Sequence, residues 1–286
     1  MHLIIIGSSG FIGSELLKFY NSDNSVKKIT QISSTKIDLT SKKSIKYLNK
    51  IYSKDCIILF CAGIKRQLGD NIETYSKNCQ IINNFSKSLD TKVRKIIFLS
   101  SASVYGESAQ RYSKITESTR VKLQSFYGIS KYVSELMLTK VCNDNKIMLS
   151  ILRPPLVYGF GDKSNGYGPT KFINNSIAKK NIELWGDGSE KREFIYIKDL
   201  VKIIDKINTS DFKGVLNIVS GESYSFIDIV SILKSKYKLT SKIIYKKRNK
   251  KKINVYFSNK NLKKLIKTYK FFSLKRGIND FLNEHN

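Results

Sequence analysis

The chain has an apolar run near residue 1 that leads directly into a glycine-rich turn. His2-Leu-Ile-Ile-Ile6 is followed by Gly7-Ser-Ser-Gly10-Phe-Ile-Gly13. An apolar run that does not alternate with polar residues predicts a parallel strand buried on both faces. Glycines between such a strand and a helix allow a tight turn and let the backbone approach a pyrophosphate at the helix N-terminus. The turn therefore predicts a nucleotide-binding βαβ unit, with cofactor contacts from Gly7, Ser9, Gly10, Phe11, Ile12 and Gly13.

The first half of the chain alternates strand and helix patterns. Apolar, β-branched runs predict strands at residues 2–6, 28–32, 56–60, 94–99 and 146–152. Helical periodicity predicts helices at residues 14–20, 75–89 and 130–141. Alternation at this spacing is typical of an α/β fold with a doubly wound, Rossmann-like parallel sheet.

The basic composition carries little functional information. Lys and Arg total 51 against 23 Asp and Glu, a net charge of +28. However, Lys far outnumbers Arg and is scattered along the whole chain, whereas Arg is the residue that best recognises phosphates and bases. We therefore expect no nucleic-acid partner, and we interpret the densest basic run, residues 246–252, as a solvated loop.

The cysteines and the lengths of the apolar runs indicate in which cellular compartment the protein is expected. Four irregularly spaced cysteines predict neither a disulfide framework nor a metal site. The apolar start ends at Gly7, and the longest apolar stretch, residues 56–64, is far shorter than the roughly 20 residues of a membrane span. We expect a cytoplasmic protein without a membrane partner.

A tyrosine and a lysine four residues apart form the second motif, Tyr127-Gly-Ile-Ser-Lys131. On a helix these side chains share one face. A phenol has a pKa of about 10, and a nearby cation favours the phenolate, so we expect Lys131 to lower the pKa of Tyr127. The same spacing recurs at Tyr167 and Tyr256. Only Tyr127 stands at a helix start between the fourth and fifth predicted strands, and we expect Tyr127 and Lys131 to be catalytic.

The third motif is a serine-rich segment at the end of the fourth predicted strand, Leu99-Ser100-Ser101-Ala-Ser103-Val-Tyr105-Gly106. Ligands of open α/β sheets bind outside the carboxyl ends of the strands. Ser101 is therefore predicted to hydrogen-bond a substrate oxygen beside the Tyr127 phenol, as a third catalytic residue.

Together, the GxxGxxG turn, the serine-rich strand end and the Tyr-Lys pair resemble an extended short-chain dehydrogenase/reductase of the NAD-dependent epimerase/dehydratase family, whose members act on nucleotide sugars. The resemblance runs nearly end to end. It includes Asp38-Leu39-Thr40, Leu152-Arg153-Pro-Pro155-Leu-Val-Tyr-Gly159, Trp185-Gly-Asp187-Gly-Ser-Glu-Lys-Arg192-Glu-Phe-Ile-Tyr-Ile-Lys-Asp199 and the tail over residues 258–281.

The resemblance implies further site residues. Cofactor contacts are implied for Ser33, Asp38, Leu39, Cys61, Ala62, Gly63, Asn78, Ser100, Tyr127, Lys131 and Pro154, and substrate contacts for Ser101, Ser103, Tyr127 and Arg192. The Arg192 guanidinium suits a diphosphate because it offers paired donors. Its alternative is a salt bridge with Glu190 or Glu193, and Arg153 is interpreted as structural or close to the cofactor.

Domain boundaries follow from a change in pattern after Pro154 and Pro155. A glycine-rich loop over residues 159–168 leads there into short mixed elements. We predict an NAD(P)-binding Rossmann domain over residues 1–155 and a smaller, mainly substrate-binding α+β domain over residues 156–286, with residues of about 190–206 returning to the first domain.

The cofactor is predicted to be NAD or NADP, with NAD favoured. An acid after the second strand would accept the ribose hydroxyls of NAD, and a cation would meet the additional phosphate of NADP. Residues 31–36 contain no acid, and Lys36 could accept a phosphate.

The resemblance leaves two reactions open. The family's 4,6-dehydratases carry an Asp-Glu pair where this chain has Ala102-Ser103, so dehydration is not expected. A nucleotide-sugar C4 epimerase, using a transient 4-keto sugar, is favoured over an NAD(P)H-dependent 4-ketoreductase. A non-catalytic nucleotide sensor or RNA-binding relative is the remote alternative. The family also implies a homodimer formed by the Tyr-bearing helix and its neighbour.

Overall fold

The computed structural model of the chain describes residues 1–23, 25–106, 114–164, 166–237, 241–249 and 251–285. These residues form two compact units. The first comprises Met1–Gly106, Arg120–Pro154 and Val201–Leu216, and the second comprises the described residues within 107–119, 155–200 and 217–286. Which unit binds cofactor and which binds substrate stays a prediction.

The described strands and helices alternate through the first unit. The strands are β1 (His2–Ile6), β2 (Lys28–Ile32), β3 (Cys56–Phe60), β4 (Val93–Leu99), β5 (Met148–Arg153), β6 (Leu156–Tyr158), β7 (Ile182–Trp185), β8 (Lys191–Arg192), β9 (Phe194–Tyr196), β10 (Gly214–Asn217), β11 (Tyr224–Ser225) and β12 (Ile243–Lys246). The helices are α1 (Phe11–Asn21), α2 (Lys43–Ile51), α3 (Ile72–Ser88), α4 (Phe126–Asp144), α5 (Pro169–Ile177), α6 (Ile197–Asn208), α7 (Phe226–Tyr237), α8 (Lys260–Leu265) and α9 (Leu274–His285).

The first unit is built on one six-stranded sheet with the order β10-β5-β4-β3-β1-β2. The pairs β1–β2, β1–β3, β3–β4 and β4–β5 run parallel. The strand order reverses direction between β1 and β3, and ligands of open α/β sheets bind at such a switch point. The predicted α/β, doubly wound parallel sheet is confirmed.

Both faces of this sheet are covered within the first unit. On one face, Ile96 of β4 packs in an apolar cluster with Phe85 of α3 and Leu138 of α4. Successive residues of a strand point to opposite faces. Lys95 therefore points to the other face, where its buried ammonium donates to the backbone oxygens of Ile207 and Ser210 at the end of α6.

The second unit contains three two-stranded sheets, β11-β8, β12-β7 and β6-β9, among its described residues. Its core includes a group of touching aromatic rings: Tyr167 packs on Phe172 and Phe226, and Phe226 on Phe194. It is thus an α+β unit with its own apolar interior.

Most predicted elements of the first unit match the observed ones closely, but helix starts do not. Helices α1, α3 and α4 each begin three or four residues earlier than predicted, and α2 was not predicted at all. Among the described residues, no helix is long and apolar enough to cross a membrane, and no three His, Cys, Asp or Glu side chains come together as a metal-binding group.

Candidate active site

The glycine turn between β1 and α1 is closely packed against backbone. Gly7 adopts a φ of +87°, and a Cβ on it would lie 2.7 Å from the Ala62 nitrogen. A Cβ on Gly13 would lie 2.1 Å from the Gly7 oxygen. Only glycine fits these two positions. The turn therefore brings the carboxyl ends of β1 and β3 together.

The start of α1 faces solvent with little side-chain cover. Gly10 is the N-cap residue and has no side chain that could accept hydrogen bonds from the first-turn amides. Ser9 and Gly10 are exposed, Ile12 is half-buried and Phe11 is buried. Amides at a helix N-terminus attract anions. These features fit the pyrophosphate of a dinucleotide.

The Ser8 side chain and the end of β2 support this turn. The Gly7 and Ser8 amides donate to the Ile32 oxygen over 2.8 and 3.0 Å, and the Ser8 hydroxyl donates to the same atom over 3.1 Å. The next residues of the chain are more exposed: Ser33 Oγ shares a hydrogen bond with Thr35, and the exposed Lys36 ammonium donates to the Gln31 oxygen over 3.1 Å.

Asp38 and Leu39 are held in place from two sides. The exposed Asp38 carboxylate accepts hydrogen bonds from the amide and hydroxyl of Thr40, which lower its pKa. Asn84 of α3 donates from its amide to the Leu39 and Thr40 oxygens, over 2.9 Å each. Sequence reasoning missed Asn84, which lies 45 residues from Leu39 along the chain.

The segment after β3 lies beside the predicted catalytic lysine. Gly63 has a φ of +148°, and a Cβ on it would be 3.5 Å from Lys131 Nζ and 3.6 Å from Asn78 Oδ1. Asn78 accepts from the Ile64 amide over 2.7 Å and donates to the Ile64 oxygen over 3.1 Å. Asn78 therefore positions this segment. In the same segment, burial raises the pKa of the Cys61 thiol to about 12, so the thiol is neutral.

Ser101, Tyr127 and Lys131 come together at the carboxyl end of β4. Ser101 lies close enough to the Tyr127 phenol to act on its pKa as a hydrogen-bonding partner. Lys131 Nζ donates to the Leu99 oxygen over 2.7 Å and lies 5.9 Å from the centre of the Tyr127 ring. The three predicted catalytic side chains are thus neighbours within one unit.

Two small residues in α4 and its cap allow this arrangement. Ser125 caps the helix by accepting from the Gly128 amide over 3.0 Å. A Cβ on Gly128 would lie 2.9 Å from the Ser103 oxygen, so only glycine lets α4 pack this closely on the 3₁₀ turn at 102–105. Asp70, which lies just before α3, accepts from the Tyr127 amide over 3.0 Å and so fixes the start of α4.

The expected effect of Lys131 on the Tyr127 phenol is wrong for this structure. Burial raises the pKa of Tyr127 to about 12, and only the hydrogen bond with Ser101 opposes it. Burial also lowers the pKa of Lys131 to about 8, against the opposing influence of Cys61 and Glu135. Removal of both groups from water outweighs their proximity, because burial disfavours a charge on either one.

A buried ion pair that the sequence did not reveal lies one helical turn beyond Lys131. Arg153 Nε donates to Glu135 Oε1 over 2.9 Å, and its second nitrogen donates to Oε2 over 2.5 Å. The Ser100 hydroxyl also donates to Glu135, and Arg153 donates to the Tyr105 hydroxyl over 2.8 Å. Ser100 and Arg153 are therefore structural here, and the signal available in the sequence was a Glu spaced four residues from Lys131.

The other predicted residues of this strand end hydrogen-bond within the turn that follows β4. The Ser101 hydroxyl donates to Ser103 Oγ over 3.0 Å and accepts from the Ser103 amide over 3.1 Å. The oxygen of the buried Pro154 accepts from the Ala102 amide over 2.9 Å. Ser103 thus orients Ser101.

The predicted substrate residue Arg192 lies in the second unit and shares a carboxylate with a second arginine. Arg192 pairs with Glu190 Oε1 over 2.7 Å, and Arg248 pairs with Oε2 over 2.6 Å. The interpretation of residues 246–252 as a solvated loop is wrong at Arg248, which is half-buried. Lys250 of that run lies outside the described residues.

Known proteins resemble this chain in both sequence and fold. It is 25% identical over 268 residues to the "Uncharacterized UDP-glucose epimerase YtcB" of Bacillus subtilis (strain 168), covering 82% of this chain and 81% of that protein. It is 21% identical over 259 residues to dTDP-4-dehydro-6-deoxy-D-allose reductase of Streptomyces sp., covering 81% and 79%. The structure of Thermus thermophilus UDP-glucose 4-epimerase in complex with NAD shares the fold, with a TM-score of 0.86 over 99% of this chain and 98% of that one, at 17% identity.

The model of the NAD dependent epimerase/dehydratase family matches residues 3–219. This range contains the glycine turn, the Ser101–Tyr127–Lys131 group and Arg192. It also covers well over half of the 286 residues. The resemblance inferred from the sequence is confirmed, and the chain belongs to the NAD dependent epimerase/dehydratase family.

Proposed function

We propose that the chain is an NAD(P)-dependent nucleotide-sugar epimerase that acts at sugar C4 through a transient 4-keto sugar. The observation that carries this proposal is the convergence of Ser101, Tyr127 and Lys131 at the carboxyl end of β4, with Lys131 Nζ 5.9 Å from the centre of the Tyr127 ring. The UDP-glucose epimerase named among the relatives supports it.

The first unit offers a site that fits a dinucleotide. The turn over residues 7–13 and the amides of α1 would hold the pyrophosphate, and the bare Gly63 leaves room beside Lys131. Asp38 and Ser33 lie after β2, on the adenosine side. A bound nicotinamide would provide hydride transfer in both directions, from the sugar and back to it.

Tyr127 transfers the proton. As the phenolate, Tyr127 takes the proton of the sugar 4-hydroxyl in the oxidation, and the phenol formed in this way gives the proton back in the reduction, while Ser101 hydrogen-bonds the same sugar oxygen. Lys131, whose ammonium donates to the Leu99 oxygen and lies beside the bare Gly63, would hold the bound cofactor in position.

The second unit supplies the anchor for the substrate. Arg192 and Arg248 present two guanidinium groups that converge on one carboxylate. Guanidinium groups bind phosphate oxygens through paired hydrogen bonds. We assign both arginines to the diphosphate of a nucleotide sugar.

The catalytic assignment is tested by Tyr127→Phe. Loss of the proton-transferring group should lower turnover by about 10²–10⁴-fold, the usual contribution of a general acid–base group. Cofactor affinity, measured by fluorescence titration with NAD and NADPH, should change by less than about twofold, because the hydroxyl is not part of the pyrophosphate site.

The matched control is Tyr256→Phe, which has the same Tyr-x-x-x-Lys spacing but lies exposed in the second unit. Its turnover should equal that of the wild type. Near-normal turnover of Tyr127→Phe would remove Tyr127 from the mechanism.

A 4-ketoreductase is the second candidate, and the end of β2 favours it. No acid directly follows this strand, and the exposed Lys36 ammonium is available to a ribose phosphate. Mass spectrometry of nucleotide released from the denatured protein distinguishes the two. Bound NAD indicates a closed redox cycle and an epimerase. A protein that is purified without nucleotide and then binds added NADPH indicates a reductase.

We further propose a cytoplasmic homodimer without a nucleic-acid partner. The four cysteines are all free, as is usual in a reducing compartment. Ile72 of α3 and Leu136 of α4 are exposed apolar side chains on the two helices that the family resemblance implies for the dimer contact.

A further inference from the structure

Glu190 occupies the position where two guanidinium groups of the second unit converge. Each of its carboxylate oxygens pairs with a different arginine, Arg192 over 2.7 Å and Arg248 over 2.6 Å. All three side chains are at most about one-fifth exposed, with 12% for Glu190. A carboxylate that bridges two arginines in this way uses the geometry with which arginines bind phosphate oxygens.

Both arginines also contact backbone oxygens, and Glu190 Oε1 itself accepts from the Ile253 amide over 3.2 Å. Arg192 also donates to the backbone oxygens of Lys191 and Ile253. Arg248 also donates to the Trp185 oxygen over 3.1 Å. Since backbone atoms also anchor both guanidinium groups, a change that removes the charge of Glu190 but keeps an acceptor oxygen for the Ile253 amide would leave the arginines close to where they are.

The carboxylate is ionised and only partly balances the arginines. Burial tends to raise the pKa of Glu190, but hydrogen bonds and charges from Arg248 and Arg192 outweigh burial and hold the pKa below its ordinary value. One negative charge faces two positive ones. A ligand with two or more negative charges would balance both guanidinium groups, whereas a ligand with one charge would gain little by replacing the carboxylate.

We propose that Glu190 is an internal competitor for the substrate diphosphate, which must displace it from Arg192 and Arg248 in order to bind. Glu190 thereby sets the specificity of the arginine pair for doubly charged groups over singly charged ones. This inference rests on the diphosphate assignment made above.

The test is calorimetric titration of the full-length protein with inorganic pyrophosphate. Glu190→Gln keeps the size of the side chain but removes its charge, so pyrophosphate should bind about tenfold more tightly than to the wild type. Glu190→Asp keeps the charge and should stay within about threefold of the wild type. Glu183→Gln, which breaks an exposed pair with Lys246 in the same unit, is the control and should not change the affinity.

The outcomes separate the inference from the diphosphate assignment. If Arg192→Gln and Arg248→Gln weaken pyrophosphate binding but Glu190→Gln leaves it unchanged or weaker, Glu190 is a positioning group and the inference is wrong. If neither arginine variant weakens binding, the diphosphate site itself is wrong and the inference falls with it. Thermal unfolding of each variant shows that the proteins compared are folded.

Discussion

Burial, rather than neighbouring charge, sets the protonation of the two central side chains. Tyr127 and Lys131 lie four residues apart on α4, yet burial moves the phenol pKa up to about 12 and the ammonium pKa down to about 8. Near neutral pH, Tyr127 is therefore a neutral phenol and Lys131 a charged ammonium whose burial is unfavourable. For the oxidation step of the proposed epimerase, Tyr127 must therefore first lose its proton.

The cost of the Lys131 charge predicts a pH-dependent stability difference. Because burial lowers the folded-state pKa of Lys131, its buried charge destabilises the folded protein most below about pH 8. This destabilisation disappears as the pH rises toward the unfolded-state pKa of 10.5. Relative to Lys131→Met, the wild type should gain about 2 kcal/mol of unfolding free energy between about pH 7 and pH 9.5. Urea denaturation at both pH values measures this difference.

Lys140→Met is the control for this measurement, since Lys140 lies on the same helix and its side chain is 77% exposed. Its stability difference from the wild type should be the same at both pH values. A pH-independent difference for Lys131→Met would show that the lysine titrates normally in the folded protein.

At the scale of elements, one ion pair fastens the helix that carries Tyr127 to the sheet. Glu135 of α4 and Arg153 of β5 are both buried, and they also bind Ser100 and Tyr105. These contacts link the end of β4, the turn after it, α4 and β5. The positions of Ser101, Tyr127 and Lys131 depend on this link.

Glu135→Gln should destabilise the protein by about 3–5 kcal/mol, because it leaves the Arg153 charge buried without its partner. Urea denaturation at neutral pH measures the loss. The double variant Glu135→Leu with Arg153→Met removes both charges and should recover at least half of it. A single variant as stable as the double one would mean that Arg153 finds another partner.

The sequence predicted those elements whose apolar residues are consecutive. Strands β1, β3, β4 and β5 contain such runs, and these strands, together with the more polar β2, were located to within two residues. Helix α2 was missed because only Ser44 and Leu48 are buried on it, so its polar surface resembles a loop. The start of α4 was placed late because the cap at Ser125 was not recognised as a helix signal.

The candidate site was predictable only where its residues are close along the chain. Ser101, Tyr127, Lys131 and the glycine turn were found, since each belongs to a motif of fixed spacing. Glu135 and Arg153 are separated by 18 residues, and Glu190 and Arg248 by 58. No local pattern links such pairs, because only packing brings them together.

For the whole molecule, the exposed apolar residues of α3 and α4 predict self-association. Ile72 and Leu136 are 62% and 55% exposed. If they form a dimer contact, Leu136→Glu should convert the dimer to a folded monomer in sedimentation velocity experiments, because a buried unpaired charge is costly. Tyr245→Glu, at an equally exposed position of the second unit, should remain dimeric. A monomeric wild type would contradict the proposed assembly.

The return of residues 201–216 to the first unit has a consequence for synthesis on the ribosome. Strand β10 completes one edge of the sheet, and the end of α6 accepts the hydrogen bonds of the buried Lys95 ammonium. Both are translated only after residues 155–200 of the other unit. While those residues are being made, the nascent sheet has an uncovered β5 edge and a lysine that still lacks its backbone acceptors. Folding of the first unit is therefore completed late in translation, and this waiting period is when chaperones would be needed most.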